Sequence, residues 1–398
     1  MFFRNGANEA VLTRTGFSLL LALGLCFPMH EALGAPLPPP LGQHAGPWAS
    51  GHVQGIAVDV QGGYIYYSFT NLLARYDFSG KLVGTLQGWK GHLGDLDFNP
   101  ADGCIYGSLE YKKDNAFYIA VIDGDRIDRV GIDALASGII GTVHLPEVAR
   151  DFVADAHGQA SGEPEGAPPP HRYGTSGIDG VGFGPRFGNA AGPHYLTVGY
   201  GVFSDTARPD NDHQVLLQYD VRDWARYVRP LDERRPHYSG PAAAHGKYFV
   251  RTGNTTYGIQ NLAYDPGLQR WFLGTYRGRK DGLPNYTLFA VDASAVPRAG
   301  ELAGVPGPGG EGQARGLLLP LAADGLSDAA TGIRGWHQKA DVGFQPIGHG
   351  LFYLARDSAR EGKQAAELTL MRWTGDARQP FAPATQDASA SFLSHTGN

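Results

Sequence analysis

The sequence predicts an all-β protein with the architecture of a β-propeller. One phrase of nine residues recurs five times in a single register, and a turn and a second apolar run follow each copy. The 398 residues include 57 glycines and 27 prolines, as expected for a chain with many turns. The copies lie at residues 51–59, 91–99, 176–184, 257–265 and 337–345.

The phrase alternates between two kinds of side chain, which is typical of a strand with two unlike faces. One parity carries large apolar residues, at Ile56, Leu96, Val181, Leu262 and Val342. The other parity carries small or short polar residues, at Gly55, Asp95, Gly180, Asn261 and Asp341. Small side chains suit the innermost strand of a blade, because the sheets crowd together near the propeller axis.

Further strands complete each repeat. Second strands are predicted at 64–67, 104–106, 195–198, 271–273 and 351–354, and third strands end at 76–77, 122–123, 219–220, 291–292 and 372–373. The best candidates for fourth strands are 81–86 and 316–320. We count five blades, with seven as the alternative because later copies lie further apart. Ring closure is expected to pair 367–371 with a strand near the mature N-terminus.

The chain divides into four segments. Arg4 and Arg14, an apolar stretch at 17–27 and small residues at 32–34 indicate a secretory signal peptide over 1–34. Residues 35–50 form a Pro-rich linker or a ring-closing strand, 51–378 the propeller, and 379–398 a tail or closing strand. We therefore expect a secreted protein, extracellular or periplasmic.

Charge and hydropathy exclude two classes of partner. The formal net charge of -6 provides no basic surface for nucleic acid. The apolar stretch at 17–27 is shorter than the roughly 18 to 20 residues that a membrane span needs. We expect a monomer without a membrane span.

Polar residues concentrate where one mouth of the propeller is predicted. Loops that enter first strands and the ends of second strands emerge on the same side, because the first strand descends and the second returns. The candidate site residues there are His52, His92, Tyr111, Arg172, Tyr173, Asn254, Arg277, Trp336, His337 and Arg356. Arg and Asn can hold a carboxylate, His and Tyr can move protons, and Trp can stack on a sugar ring. An anionic oligo- or polysaccharide is the expected ligand.

Two metal sites are alternatives at this mouth. His52 and His92 share a position in the phrase, with His337 one position out of frame, and could hold a metal. Asp95, Asp97, Asp179 and Asp341 could offer oxygen ligands to Ca²⁺ near the axis. Asp95, Asp179 and Asp341 can equally tie one blade to the next, and His52 and His92 can hydrogen-bond a neighbouring blade. The sequence alone does not distinguish metal ligands from blade contacts at these positions.

Residues 91–98, 171–173 and 253–258 resemble the secreted propeller polysaccharide lyases known as L-rhamnose-α-1,4-D-glucuronate lyases. The resemblance implies a seven-bladed propeller with calcium in its central cavity. It also implies that His92 is the acid/base residue and that Arg172 and Asn254 hold the uronate. Tyr111 and Tyr173 are then candidates for the second proton transfer of a β-elimination.

Three functions are compatible with the sequence. The first is a lyase that cleaves a rhamnose-glucuronate type linkage in uronate-containing glycans such as arabinogalactan. The second is a glycoside hydrolase, for which Glu110 and Asp357 are the obvious acids. The third is a non-catalytic propeller that binds carbohydrate or protein.

Overall fold

The computed structural model describes residues 37–159 and 170–395, which form five blades around one axis. The fold is a β-propeller, as predicted, and the count of five is confirmed over seven. The signal peptide predicted over 1–34 lies outside the described residues. Within the described part of the chain, no helix is long and apolar enough to cross a membrane.

A short strand precedes blade 1 in the chain but pairs with the last blade, blade 5. That strand is β1 (Gly42–Trp48). Blade 1 consists of β2 (Val53–Asp59), β3 (Tyr64–Phe69), β4 (Leu72–Asp77) and β5 (Leu82–Gln87), each antiparallel to the next. The predicted fourth strand at 81–86 is therefore confirmed.

Blade 2 contains β6 (His92–Asn99), β7 (Cys104–Tyr111), β8 (Ala116–Ile122) and, after an excursion, β10 (Ile140–His144). The excursion contains β9 (Ile132–Asp133), which extends blade 1 by pairing parallel to β5, and the helix α1 (Ala134–Ser137). A second helix, α2 (Pro146–Val153), follows blade 2.

Blade 3 is built from β11 (Thr175–Pro185), β12 (His194–Val202), β13 (His213–Tyr219) and β15 (Gly246–Arg251). The connection between the last two strands reaches back over blade 2. It contains β14 (Arg229–Pro230), which pairs with β10.

Blade 4 contains β16 (Thr256–Asp265), β17 (Arg270–Tyr276) and β18 (Leu288–Asp292). Next come β19 (Arg298–Pro306) and β20 (Gln313–Leu319), and then the short strands β21 (Leu326–Ser327) and β22 (Arg334–Gly335). The predicted strand at 316–320 is present as β20, but it lies parallel to β15 at the edge of blade 3. The outer edge of blade 4 is instead the backbone of Trp336, which exchanges hydrogen bonds with Leu288.

Blade 5 closes the ring. It contains β23 (Phe344–Gly348), β24 (Leu351–Arg360) and β25 (Lys363–Trp373), followed by β26 (Phe381–Pro383) and the helix α3 (Gln386–His395). Strand β1 supplies the missing edge, with Gly42 opposite Thr369 and Ala45 opposite Ala366. The predicted pairing of 367–371 with an N-terminal strand is confirmed.

The alternation of the repeated phrase determines how the blades pack. Ile56, Leu96, Val181, Leu262 and Val342 are all buried in the apolar layers between sheets. The small residues on the other face of the strand allow neighbouring sheets to approach each other closely. A Cβ on Gly55 would lie 2.6 Å from the Asp95 Cα. Only glycine permits this contact between blades 1 and 2.

Candidate functional site

A pocket of about 1770 Å³ opens at one mouth of the propeller. Its floor includes residues at or just before the first strands of blades 1 to 4 and residues at the ends of second strands in blades 2 and 4. These floor residues are His52, His92, Glu110, Tyr111, Ser176, Asp179, Tyr257, Gln260 and Tyr276. Loop entrances and strand ends thus meet at one mouth in part of the ring, and, among the described residues, the predicted contribution of blade 5 is absent from the pocket lining.

Three ligand-type side chains converge on this floor. His92 begins β6, Glu110 lies near the end of β7, and Asp179 lies on β11 of the next blade. The His92 Nδ1 lies 3.7 Å from Glu110 Oε1 and 3.7 Å from Asp179 Oδ1. All three ligand atoms lie within 4.8 Å of one another. These distances are too long for hydrogen bonds, so the three atoms surround a small shared space.

Hydrogen bonds fix the outer oxygen of each carboxylate. The Ile178 backbone N–H donates to Glu110 Oε2 at 3.2 Å, and Gln260 Nε2 donates to Asp179 Oδ2 at 3.0 Å. The remaining oxygens, Oε1 and Oδ1, are the ones nearest His92. The side chains of Glu110 and Asp179 are only 3% and 12% exposed, which keeps both orientations fixed.

Burial controls the protonation of the cluster. It lowers the pKa of His92 to about 4, helped by the nearby Lys112 and His52, so the imidazole is neutral at pH 7. Burial also raises the pKa of Glu110 and of Asp179, and the Glu110 charge raises the Asp179 pKa further. A neutral imidazole can accept a proton or bind a metal ion.

Lys112 supplies the nearest positive charge. Its Nζ lies 2.9 Å from Glu110 Oε1. Burial alone lowers the pKa of Lys112, but the attraction of Glu110 and Asp179 outweighs it and the pKa is raised. Because 47% of the side chain is exposed, the ammonium group can leave the carboxylate without unpacking the core.

Around the rest of the pocket, six cationic side chains outnumber three acidic ones. Lys90 and Lys113 come from the loops of blades 1 and 2, Arg234 and Arg235 from the connection of blade 3, and Arg277 and Arg279 from blade 4. The acidic wall residues Asp114, Asp232 and Glu233 lie on two of the same loops. Glu233 is engaged, since it accepts hydrogen bonds from Tyr111 Oη at 2.8 Å and Lys90 N at 2.5 Å.

Three tyrosines line the same space. Burial and the bond to Glu233 raise the pKa of Tyr111, and burial with nearby Asp341 raises the pKa of Tyr276. Both phenols stay protonated at neutral pH and are proton donors rather than bases. Tyr257 is 53% exposed and has a φ of 61°, a conformation that few non-glycine residues adopt.

Four of the candidate residues named from the sequence line the pocket: His52, His92, Tyr111 and Arg277. Among them, His52 is held locally, with Nδ1 2.7 Å from the Val53 carbonyl oxygen and Nε2 3.3 Å from Gln54 Nε2. The other six candidates do not line it.

Arg172 and Tyr173 belong to a buried ionic network under α2. The Arg172 guanidinium lies 3.9 Å from Asp151 and 4.7 Å from the centre of the Tyr173 ring. Lys247 bonds the same Asp151 at 2.5 Å and lies 5.0 Å from that ring. Tyr173 is buried, and burial raises its pKa. Both residues support blade 3 at this position.

The remaining candidates are either buried or turned outwards. Trp336 is 1% exposed and packs 5.5 Å from Trp373, so it cannot stack on a sugar. Asn254 is buried and donates to the Phe203 carbonyl oxygen at 3.4 Å. His337 and Arg356 are exposed. The sequence does not distinguish pocket-lining residues from buried or exposed ones. The position of a residue along a strand predicts the end of the propeller at which it lies, but not whether its side chain reaches the pocket.

One residue of the cluster around His92 was not predicted from the sequence, and two others were predicted with different roles. Lys112 follows the strand end that contains Glu110 and Tyr111, and this position is the signal that could have identified it. The sequence predicts Asp179 to be a calcium ligand or a blade tie, and Glu110 to be a hydrolase acid. Their convergence on His92 follows from the approach of blades 2 and 3, which no local spacing reveals.

Two of the four axial acids, Asp95 and Asp97, have their carboxylate oxygens engaged by protein donors. Asp95 accepts hydrogen bonds from the backbone N–H groups of Val181 and Leu262 and from Asn261 Nδ2. Asp97 accepts from two backbone N–H groups and from Gln345 Nε2. Their oxygens are used by protein donors, so Asp95 is a blade tie, as the alternative prediction held.

The chain is similar to solved propeller structures, but only at low sequence identity. No family model matches the chain, and no curated protein does. Among solved structures, the chain is similar to the Dos1 propeller at 10% identity and a TM-score of 0.30, covering 83% of this chain and 68% of that one.

Two further solved structures have comparable similarity. A chain of the mitotic checkpoint complex has 12% identity, a TM-score of 0.32, and coverage of 80% and 74%. Sqt1 of Saccharomyces cerevisiae has 11% identity, a TM-score of 0.30, and coverage of 80% of this chain and 59% of Sqt1. Similarity at this level carries no inference about function.

Proposed function

We propose that this propeller binds the end of an anionic oligosaccharide in the mouth pocket. The observation that carries the proposal is the excess of positive charge around this pocket, which is lined by seven Lys and Arg residues and five Asp and Glu residues. Guanidinium groups bind carboxylates in a bidentate manner, and a partly enclosed site strengthens each contact. A uronate offers a carboxylate to the walls and a ring face to Tyr257 and Tyr276.

The shape of the pocket supports a chain end rather than a protein surface. Protein interfaces bind through a flat patch with exposed aromatic anchors. Here the polar groups converge inside a cavity, and Tyr111 joins Glu233 across its wall at 2.8 Å. The cavity volume of about 1770 Å³ exceeds that of a typical small-molecule site, as expected for one that receives the end of an oligosaccharide.

A second candidate function is β-elimination at the bound uronate, and the presence of His92, Tyr111 and Tyr276 around one pocket favours it. In this reaction a base takes the C5 proton, a C4=C5 double bond forms, and the C4–O4 bond breaks. His92 is free to accept that proton at pH 7, while the protonated Tyr111 or Tyr276 can donate to the departing O4. Arg277 or Lys112 would stabilise the negative charge that develops on the carboxylate.

One experiment tests binding and chemistry together. The purified chain is titrated calorimetrically with uronate oligosaccharides and with neutral oligosaccharides of equal length, in EDTA, and the mixtures are analysed for products. We expect preference for the acidic ligands and at least tenfold weaker binding by Arg277→Ala. Arg356→Ala is the matched control, because Arg356 is exposed and lies outside the pocket. Equal binding of neutral and acidic sugars would contradict the proposal.

The products distinguish the possible chemistries. A lyase generates an unsaturated uronate that absorbs near the ultraviolet edge, and His92→Ala should abolish it. Release of sugar without this chromophore would instead indicate a hydrolase using Glu110 and Asp179, whose closest oxygens lie within 4.8 Å. Binding without any product, both in EDTA and in a parallel sample with added ZnCl₂ or CaCl₂, would identify a non-catalytic carbohydrate-binding propeller.

A further inference from the structure

We propose that His92 Nδ1, Glu110 Oε1 and Asp179 Oδ1 bind one divalent transition-metal ion, such as Zn²⁺, at the floor of the pocket. The site would combine one imidazole with two carboxylates and leave a position open towards the cavity. Such three-ligand sites with an open position are typical of metals that bind a substrate or water. The proposal goes beyond saccharide binding and does not depend on it.

The spacing of the three atoms suits a small ion. Two ligand atoms at about 2.1 Å from a tetrahedral ion lie about 3.4 Å apart. The His92 Nδ1 lies 3.7 Å from each of the two carboxylate oxygens. Small side-chain movements would bring all three atoms to bonding distance.

An unsatisfied nitrogen provides the second, independent observation. The His92 Nδ1 is shielded from solvent and has no hydrogen-bond partner among the described residues. It points into the space between two carboxylates whose own side chains are almost fully buried. A buried nitrogen without a partner is costly, and a metal ion would satisfy it together with both oxygens.

The surrounding hydrogen bonds are those expected of a supporting shell. Ile178 N–H and Gln260 Nε2 each hold the outer oxygen of one carboxylate and leave the inner oxygen towards His92. Partners of this kind fix the orientation of metal ligands. They connect blades 2, 3 and 4 to the cluster, so the site is positioned by rigid strands.

The ligand set favours a transition metal over calcium. Calcium takes six to eight oxygen ligands, whereas imidazole nitrogen suits zinc and its neighbours. Lys112 would compete with the ion, because its Nζ lies 2.9 Å from Glu110 Oε1. Its partly exposed side chain can turn away when the metal binds.

The test is a calorimetric titration of the EDTA-treated chain with ZnCl₂ and with CaCl₂ at pH 7.5, without saccharide. We expect one Zn²⁺ per chain, bound more tightly than Ca²⁺, and at least 100-fold weaker Zn²⁺ binding by His92→Ala. His337→Ala is the matched control and should bind as the unmodified chain does, because His337 is exposed and outside the cluster. Co²⁺ should give visible d–d absorption that His92→Ala loses and His337→Ala keeps.

Lys112→Met provides a second test that does not depend on the folding of His92→Ala. Removal of the competing ammonium should tighten Zn²⁺ binding at least fivefold. Absence of stoichiometric Zn²⁺ binding, tighter binding of Ca²⁺, or weaker Zn²⁺ binding by Lys112→Met would each overturn the site. Saccharide binding is measured in EDTA, so failure of one proposal leaves the other to be judged separately.

Discussion

Asp341 shows how one side chain at the mouth couples pH to stability. It is buried on the blade 5 side of the axis, and its Oδ1 has no hydrogen-bond partner among the described residues. Burial raises its pKa to about 6, Lys339 and His52 lower it, and Asp357 raises it. The folded chain therefore holds this proton at pH values where the unfolded chain, with a pKa of about 3.9, has released it.

We predict that the contribution of Asp341 to the free energy of unfolding falls as the pH rises between about 4 and 6, and that Asp341→Asn removes this contribution. The folded state binds the extra proton in that range, so this contribution decreases with pH and levels off above the folded pKa. The difference between the two proteins should change by on the order of 2 kcal/mol. Urea unfolding at pH 4 and pH 7.5 measures it.

Asp128→Asn, at an exposed aspartate, is the control and should show no such change. A pH-independent difference between Asp341→Asn and the unmodified chain would contradict the prediction.

The position of a residue within the repeated phrase predicts some contacts between blades but not others. Asp95 and Asn261 stand at the same place in two copies, and the structure brings them together at the axis. The cluster of His92 with Asp179 was not predictable, because the two residues hold different places in their copies. Their contact depends on how blades 2 and 3 are offset, which is a tertiary property.

At the scale of elements, the closing strand β1 holds the ring shut. Its Ala45 is fully buried, whereas the preceding His44 is exposed, as the alternation of a strand requires. Side-chain hydrogen bonds hold this strand in addition to its backbone hydrogen bonds with β25. Gln43 donates to the Asp77 carbonyl oxygen at 2.8 Å and accepts from Tyr67 Oη at 2.7 Å. It therefore ties blade 5 to blade 1.

We predict that Ala45→Asp lowers the free energy of unfolding by about 3 kcal/mol or more, because it places an unpaired charge in the layer between two blades. His44→Asp introduces the same side chain one residue earlier, on the solvent face, and should cost less than about 0.5 kcal/mol. Chemical denaturation of both variants provides the measurement. Equal effects of the two substitutions would show that β1 does not contribute to closure.

The strands themselves were predictable because their period-two pattern is local. The second and third strands of all five blades, and the first strands of blades 1 to 4, lie where the repeated phrase and its followers predict them. In blade 5 the phrase at 337–345 is mostly irregular, and the first strand, β23, begins only at Phe344. The outer strands were harder, since β20 joins blade 3 after the chain has completed blade 4. Its pattern indicates a strand, but only the packing of the whole ring decides which sheet receives it.

At the scale of the whole molecule, one pair of side chains joins all five blades. Asp95 of blade 2 accepts hydrogen bonds from Val181 of blade 3 and from Asn261 and Leu262 of blade 4. The Asn261 amide also donates to the Gln54 carbonyl oxygen of blade 1 at 3.0 Å and accepts from Gly343 N–H of blade 5 at 2.6 Å. The pair takes the place of a continuous apolar core at the axis.

We predict that Asp95→Ala and Asn261→Ala each destabilise the fold by about 3 to 5 kcal/mol, because each leaves buried donors without partners. The double variant should cost less than the sum by about 1 to 3 kcal/mol, since both changes remove one network. Asp77→Ala is the control: Asp77 also accepts three hydrogen bonds, but all from one exposed turn.

Denaturant unfolding of the four variants tests this coupling. Asp77→Ala should cost about 1 kcal/mol, as for an exposed turn, and should leave the cooperativity of unfolding unchanged. Loss of the axial pair weakens contacts to every blade at once, so its variants should still unfold in one transition at lower denaturant. Additive effects of Asp95→Ala and Asn261→Ala would mean that the blades are joined independently, and that the ring does not depend on a shared axial network.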